Sequence, residues 1–241
     1  MPKRAYIPDF AADQRIPYLG RWPGEVWCQD FAELPLDVEA VSFGKKTKGL
    51  RDLSAFKRLR RASAPLTPEL FEILLTIPNL EYLQLDPPRS PEIPSLAGFT
   101  KLRSFVMRCN KHQTDLEFLR GLSWLHSLCI SEATSLTSLA PLETLTELRE
   151  LYIDGKMGGP RQYLESFDPL SELKHLEYAV LLTRLVKGNQ SLQALHSLKK
   201  LKYLYLGDVW PTAEYDALLQ SLPKLQRIRF AGSRQYPPAT P

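Results

Sequence analysis

The apolar pattern LxxLxI stands at Leu125, Leu128 and Ile130, and again at Leu148, Leu151 and Ile153, twenty-three residues later. Between the two copies Leu136, Leu139, Leu142 and Leu145 follow at a stride of three. Such a unit reads as a short strand followed by a helical or extended return. One unit has apolar residues on one side only and nothing of its own to cover them, so it is stable only against neighbouring units. The chain is therefore expected to stack coil on coil around one continuous core.

The opening recurs along most of the sequence. It begins at Val38, Leu59, Leu80, Leu102, Leu125, Leu148, Leu176, Leu201 and Leu225, with spacings of 21 to 28 residues. Nine strands in parallel are expected. Two returns, 67–77 and 211–222, read as capped helices. In the first, Thr67 is placed to cap, Pro68 suits the first turn and Glu69 favours the N-terminal dipole. The other returns keep the stride of three, as in Leu192, Leu195 and Leu198.

The stride-three leucines, and SLAPLETLTELRELYI above all, resemble the bacterial and SDS22-like leucine-rich repeat families, including the internalins. The resemblance covers about 38–230. It implies an α/β solenoid, a horseshoe with a concave parallel sheet and short convex returns, that recognises a folded protein on its concave face. One family feature is mostly missing. The asparagine at the ninth position of each repeat survives as Asn110, while Thr67, Pro88, Ala133, Lys156, Arg184 and Val209 replace it elsewhere. Backbone groups at those turns need other partners.

Residues 1–37 do not fit the repeat and carry Trp22, Trp27, Tyr6, Tyr18, Phe10 and Phe31. They are expected to cap the first coil, because a solenoid end otherwise exposes its core. Residues 231–241 read as a proline-rich tail.

Strand side chains alternate between faces, and neighbouring strands lie about 4.8 Å apart. With positions one, four and six inward, positions three, five and seven line the concave face. In the C-terminal third these positions gather Tyr152, Tyr178, Val180, Leu182, Tyr203 and Tyr205, edged by Glu150, Asp154, Arg227 and Arg229. Tyrosines around an apolar centre with a charged rim suit a protein-binding surface. Val180 and Leu182 are expected to leave apolar surface in water there. The middle of the face reads as small and plain. The two longest repeats place extra residues at 154–163 and 183–190, beside the same region; insertions in a solenoid often fall on the binding side.

A basic run, 44–61, holds Lys45, Lys46, Lys48, Arg51, Lys57, Arg58, Arg60 and Arg61 against Asp52 alone. A nucleic-acid partner is the weaker reading, because no aromatics are interleaved for stacking and the net charge is only +4. No apolar run is long enough to span a bilayer, so no membrane partner is expected. Cys28, Cys109 and Cys129 form no CxxC pair, and no apolar leader is visible; both fit a cytoplasmic protein. His112, His126, His175 and His196 lack metal-ligand spacing. No phosphate loop, nucleophile elbow or HExxH is present, so neither catalysis nor a cofactor is expected. Cys129 and His126 fall on opposite faces of one strand. The reading is a non-enzymatic module for a protein partner. The alternatives are an inhibitor or immunity protein that occludes an enzyme or toxin, and a nucleic-acid-associated protein. Composition and pattern leave the oligomeric state open.

Overall fold

The computed structural model describes residues 25–50, 53–86, 92–155, 162–207, 210–225 and, by backbone alone, 227–230. Each apolar opening forms a strand. They are β2 (Ala40–Lys48), β3 (Arg61–Pro65), β4 (Tyr82–Asp86), β5 (Ser104–Arg108), β6 (Ser127–Ser131), β7 (Glu150–Asp154), β9 (Tyr178–Leu182), β11 (Tyr203–Leu206) and β12 (Arg227–Phe230). These nine run side by side as one parallel sheet. A tenth strand, β1 (Val26–Asp30), pairs in parallel with β2. It comes from the segment expected to be only a cap. Its follow-on residue Phe31 is buried edge-on against Phe43 and Phe56, with ring centroids 5.2 and 5.7 Å away. Residues 1–24 and 231–241 lie outside the described residues.

The register puts like with like. Val41, Ala62, Leu83, Phe105, Leu128, Leu151, Ala179 and Leu204 stand opposite one another from β2 to β11, and every one is buried. The returns complete this core. Most are short 3-10 turns, at Leu96–Gly98, Glu117–Leu119, Ala140–Thr144, Asp168–Glu172 and Gln193–Ser197. A 3-10 helix has three residues per turn, so side chains at i and i+3 lie on one side. That is why the stride of three works: Leu136, Leu139, Leu142 and Leu145 all face inward and are buried.

Helix α1 (Pro68–Leu75) starts where expected, with the Leu70 amide donating to Thr67 Oγ1 at 3.3 Å. Helix α2 (Thr212–Ser221) differs from expectation. Pro211 precedes it and no side chain caps its first turn. The inserted segments of the two long repeats meet as a two-stranded parallel pair, β8 (Tyr163–Leu164) with β10 (Arg184–Leu185). Residues 156–161 of that insertion lie outside the described residues.

Backbone hydrogen bonds tie each coil to the next at both strand ends. Before the strands, the carbonyls of Glu39, Arg60, Glu81, Arg103, His126, Arg149 and Glu177 each accept two amides from the following coil, at 2.8 to 3.1 Å. After the strands, other groups replace the missing asparagines. The Leu66 amide donates to the Asp86 carbonyl at 3.3 Å, and the Ala133 amide to the Asp154 carbonyl at 3.0 Å. Asn110 serves its own turn, accepting from the His112 amide at 2.7 Å. At Gly207 the coils come so close that a Cβ would lie 2.6 Å from Leu182 Cα.

Two substitutions test this packing. Leu128→Ala should cost about 2–5 kcal/mol, since it empties a fully enclosed site; urea denaturation reads the loss, and an unchanged midpoint would place Leu128 outside the core. Gly207→Ala should also lower the midpoint, because backbone rather than a side chain stands in the way. A neutral Gly207→Ala would mean that the two coils are further apart than the structure has them.

Candidate functional site

The register assembles the residues singled out on the concave face. Tyr152, Val180, Tyr205 and Arg229 lie opposite one another on β7, β9, β11 and β12, and so do Glu150, Tyr178, Tyr203 and Arg227. Asp154 stands opposite Leu182. Tyr152, Val180 and Tyr203 form a single apolar cluster, against which Tyr178, Leu182 and Tyr205 pack while remaining partly accessible. Arg227 and Arg229 keep their places in the backbone register, but their side chains lie outside the described residues.

Burial on this face differs from expectation. Val180, expected to meet water, is 1% exposed, and Tyr152 and Tyr203 are 5% and 7% exposed. Val180 lies in register between Tyr152 and Tyr205, and rings on both flanks shield so short a side chain. Leu182 is only half-buried. The cluster also reaches further than the tyrosine-rich third. Tyr82, Val106 and Cys129 belong to it, all buried, although the middle of the face reads as plain in sequence. Strand β6 is buried on both faces. The Ser127 and Ser131 hydroxyls on its concave side have no hydrogen-bond partner among the described residues. The signal that could have found this extension is Tyr82, a large ring beside two small columns.

Two tyrosines are fixed by side chains two residues ahead on the same face. Tyr152 donates its hydroxyl to Asp154 Oδ2 at 2.8 Å, and Tyr82 donates to Gln84 Oε1 at 3.1 Å. Asp154 also accepts the Glu132 amide on Oδ1 at 2.8 Å. Glu132 needs that support, since its φ of 54° lies in the left-handed region that side chains disfavour. Burial raises the Asp154 carboxyl above its usual range, while the Tyr152 hydroxyl and the Glu132 amide pull it back. Burial, followed by the nearby Asp154 charge, pushes the Cys109 thiol up to about 12 and the Cys129 thiol higher still. Both therefore stay protonated and unreactive at neutral pH.

The basic run does not form one patch. Arg58 pairs with Glu39 at 2.9 Å and Arg60 with Glu81 at 3.0 Å. Arg61 sits in a concave column, while Lys45, Lys46 and Lys48 are near the far end of β2. Arg51 and Asp52 lie outside the described residues. Among the described residues no group of three His, Cys, Asp or Glu side chains could hold a metal ion, and no helix is long and apolar enough to cross a membrane.

No protein-family model and no curated protein sequence matches the chain. Solved structures do. An internalin (InlF) from Listeria monocytogenes matches with a TM-score of 0.56 at 17% identity, over 83% of this chain and 56% of that one. Internalin C2 from the same organism matches with a TM-score of 0.51 at 18% identity, over 80% of this chain and 77% of that one. The fold is a leucine-rich repeat solenoid. This chain spans little more than half the length of the InlF chain. The leucine-rich repeat geometry explains why the third, fifth and seventh positions of separate coils converge. Parallel strands in constant register bring residues about 25 apart in sequence to neighbouring positions about 4.8 Å apart.

The Asp154 carboxyl gives this face a pH dependence. A carboxyl that holds its proton more tightly folded than unfolded favours the fold at low pH. That contribution is complete below the ordinary carboxylate range and is lost as pH rises through the raised folded value. Asp154→Asn removes it. Thermal melts of both proteins between pH 7 and pH 4 should therefore show wild type gaining on the variant as pH falls. A constant difference would put the carboxyl in water.

Proposed function

We propose that this leucine-rich repeat chain is a non-enzymatic module that holds a folded protein against its concave sheet, centred on β7, β9 and β11. The supporting observation is the two-tier tyrosine cluster. Tyr152, Val180 and Tyr203 form a buried base, and Tyr178, Leu182 and Tyr205 rest on it with part of each ring or side chain still open. Rings held in place before binding lose little conformational freedom when a partner arrives, which favours affinity. Aromatic anchors surrounded by polar groups dominate protein-binding energetics, and Glu150 and Asp154 lie at the margin. The paired insertion strands β8 and β10 follow β7 and β9, so they stand beside the same region. A cytoplasmic setting suits the three buried, unpaired thiols.

The tiers separate in experiment. Immobilised chain is used to capture partners, which mass spectrometry identifies; titration calorimetry then compares variants. Tyr205→Ala and Tyr178→Ala should each cost about 2 kcal/mol of binding or more, roughly thirtyfold, with little change in melting temperature. Tyr152→Ala should lower the melting temperature as well, because its ring belongs to the base. Ser63→Ala, on the same face but far from β7, β9 and β11, is the control. Full affinity in both Tyr178 and Tyr205 variants would move the site elsewhere.

A further inference from the structure

Along the edge where coils enter the sheet, the second position of each repeat forms a line of charge. It reads Glu39, Arg60, Glu81, Arg103, His126, Arg149, Glu177 and Lys202. The backbone ladder fixes this order, for the His126 amide donates to the Arg103 carbonyl and the Arg149 amide to the His126 carbonyl, both at 2.8 Å. Toward either end the signs alternate and neighbours pair, as Arg60 with Glu81 and Lys202 with Glu177. In the middle the alternation fails, and three basic residues stand on successive rungs.

We infer that Arg103, His126 and Arg149 form a cationic edge that takes the carboxylates of a short acidic segment on the protein partner. Arg103 and Arg149 are exposed and His126 is half-buried. Arg103 donates to the Trp124 carbonyl at 3.2 Å, which spends one of its five donors. Neither arginine has an acidic partner in hydrogen-bonding or ion-pair contact among the described residues. The charged groups facing His126 are Arg149, Arg103 and Glu147. Burial and then the two arginines hold its imidazole below the usual range, against the opposing pull of Glu147. Glu147 also lies 3.7 Å from His175.

The surroundings choose between anions. Glu81 and Glu177 stand at the two ends of the trio, with Glu147 and Glu150 beside it. Glu81 and Glu177 are already paired with Arg60 and Lys202, so among the described residues the ladder offers no free cation to a phosphate backbone that runs on past the three rungs, and Glu147 and Glu150 would repel one. Separate carboxylates, placed over the arginines and flanked by uncharged residues, avoid that repulsion. The inference rests on the concave-face reading, because this edge borders the third column at Ser104, Ser127 and Glu150.

The test uses the full chain with a short peptide holding two glutamates separated and flanked by uncharged residues, and single-stranded oligothymidylate as the competing polyanion. Imidazole resonances follow the titration of His126, and fluorescence anisotropy gives peptide affinity at low and physiological salt. The peptide should raise the His126 midpoint. Arg103→Ala with Arg149→Ala should weaken peptide binding about tenfold, as expected for losing two exposed ion pairs, at unchanged melting temperature. Arg60→Ala, whose guanidinium is already paired, should leave affinity unchanged. A His126 midpoint indifferent to the peptide overturns the inference. So does equal weakening by Arg60→Ala, or tighter binding of oligothymidylate through the same arginines. The peptide assay does not use the tyrosines. Its failure removes the acidic-segment inference alone, whereas a captured partner indifferent to Tyr178 and Tyr205 removes the concave-face reading, and with it the placing of the partner's acidic segment on this edge.

Discussion

Shared burial is the constraint on which this molecule depends. No coil owns a core. Leu128 is enclosed because Phe105 stands on one side of it and Leu151 on the other, and the same holds for each member of the column. Apolar area leaves water only when coils stack, so fold and stability arise together from the interfaces between repeats. The ends need separate treatment. At the start of the sheet, β1 adds a strand without the leucine pattern, and Phe31 covers the phenylalanines of the first coils.

Burying strands on one face leaves their flanking turns to be satisfied, and the two strand ends solve this differently. The entry side uses a carbonyl shared by two amides in every coil from β3 to β11. It depends on no side chain, so the sequence there is free to vary, and the charge line with its basic interruption occupies positions that the backbone alone holds in place. The exit side is less uniform. Carbonyls of the next coil serve the turns at Leu66, Cys109, Ala133 and Gly155, while the Asp154 carboxylate and a close approach at Gly207 each serve one. This accounts for a regular fold whose repeats have lost most of their asparagines.

The order of strands, their register and the concave columns were legible from the sequence, because alternation along a strand and a near-constant repeat fix which residues meet. Tyr152, Val180 and Tyr205 lie together as the spacing implies. What alternation does not encode is how far side chains lean over their neighbours. It marks Val180 as outward without showing that rings on both sides would close over it. The same lateral packing buries Val106 and Cys129 in a stretch that looks unremarkable residue by residue. Strand β1 escaped notice because VWCQD carries no leucine, and its single buried residue, Cys28, is too little pattern to read. The basic trio was hidden for another reason: Arg103, His126 and Arg149 are more than twenty residues apart, and only the ladder makes them neighbours.

The shared carbonyls also have a mechanical meaning. Strands of the large sheet pair only with those of adjacent coils among the described residues. Tension applied between the ends therefore meets a series of similar links rather than one central clasp. Each link combines amides donating sideways to the next coil with a wall of leucines, so it opens by peeling. A released coil of some 23 residues adds about 80 Å of slack, and the next interface then bears the load. Such a chain lengthens in steps, as a spring that uncoils turn by turn.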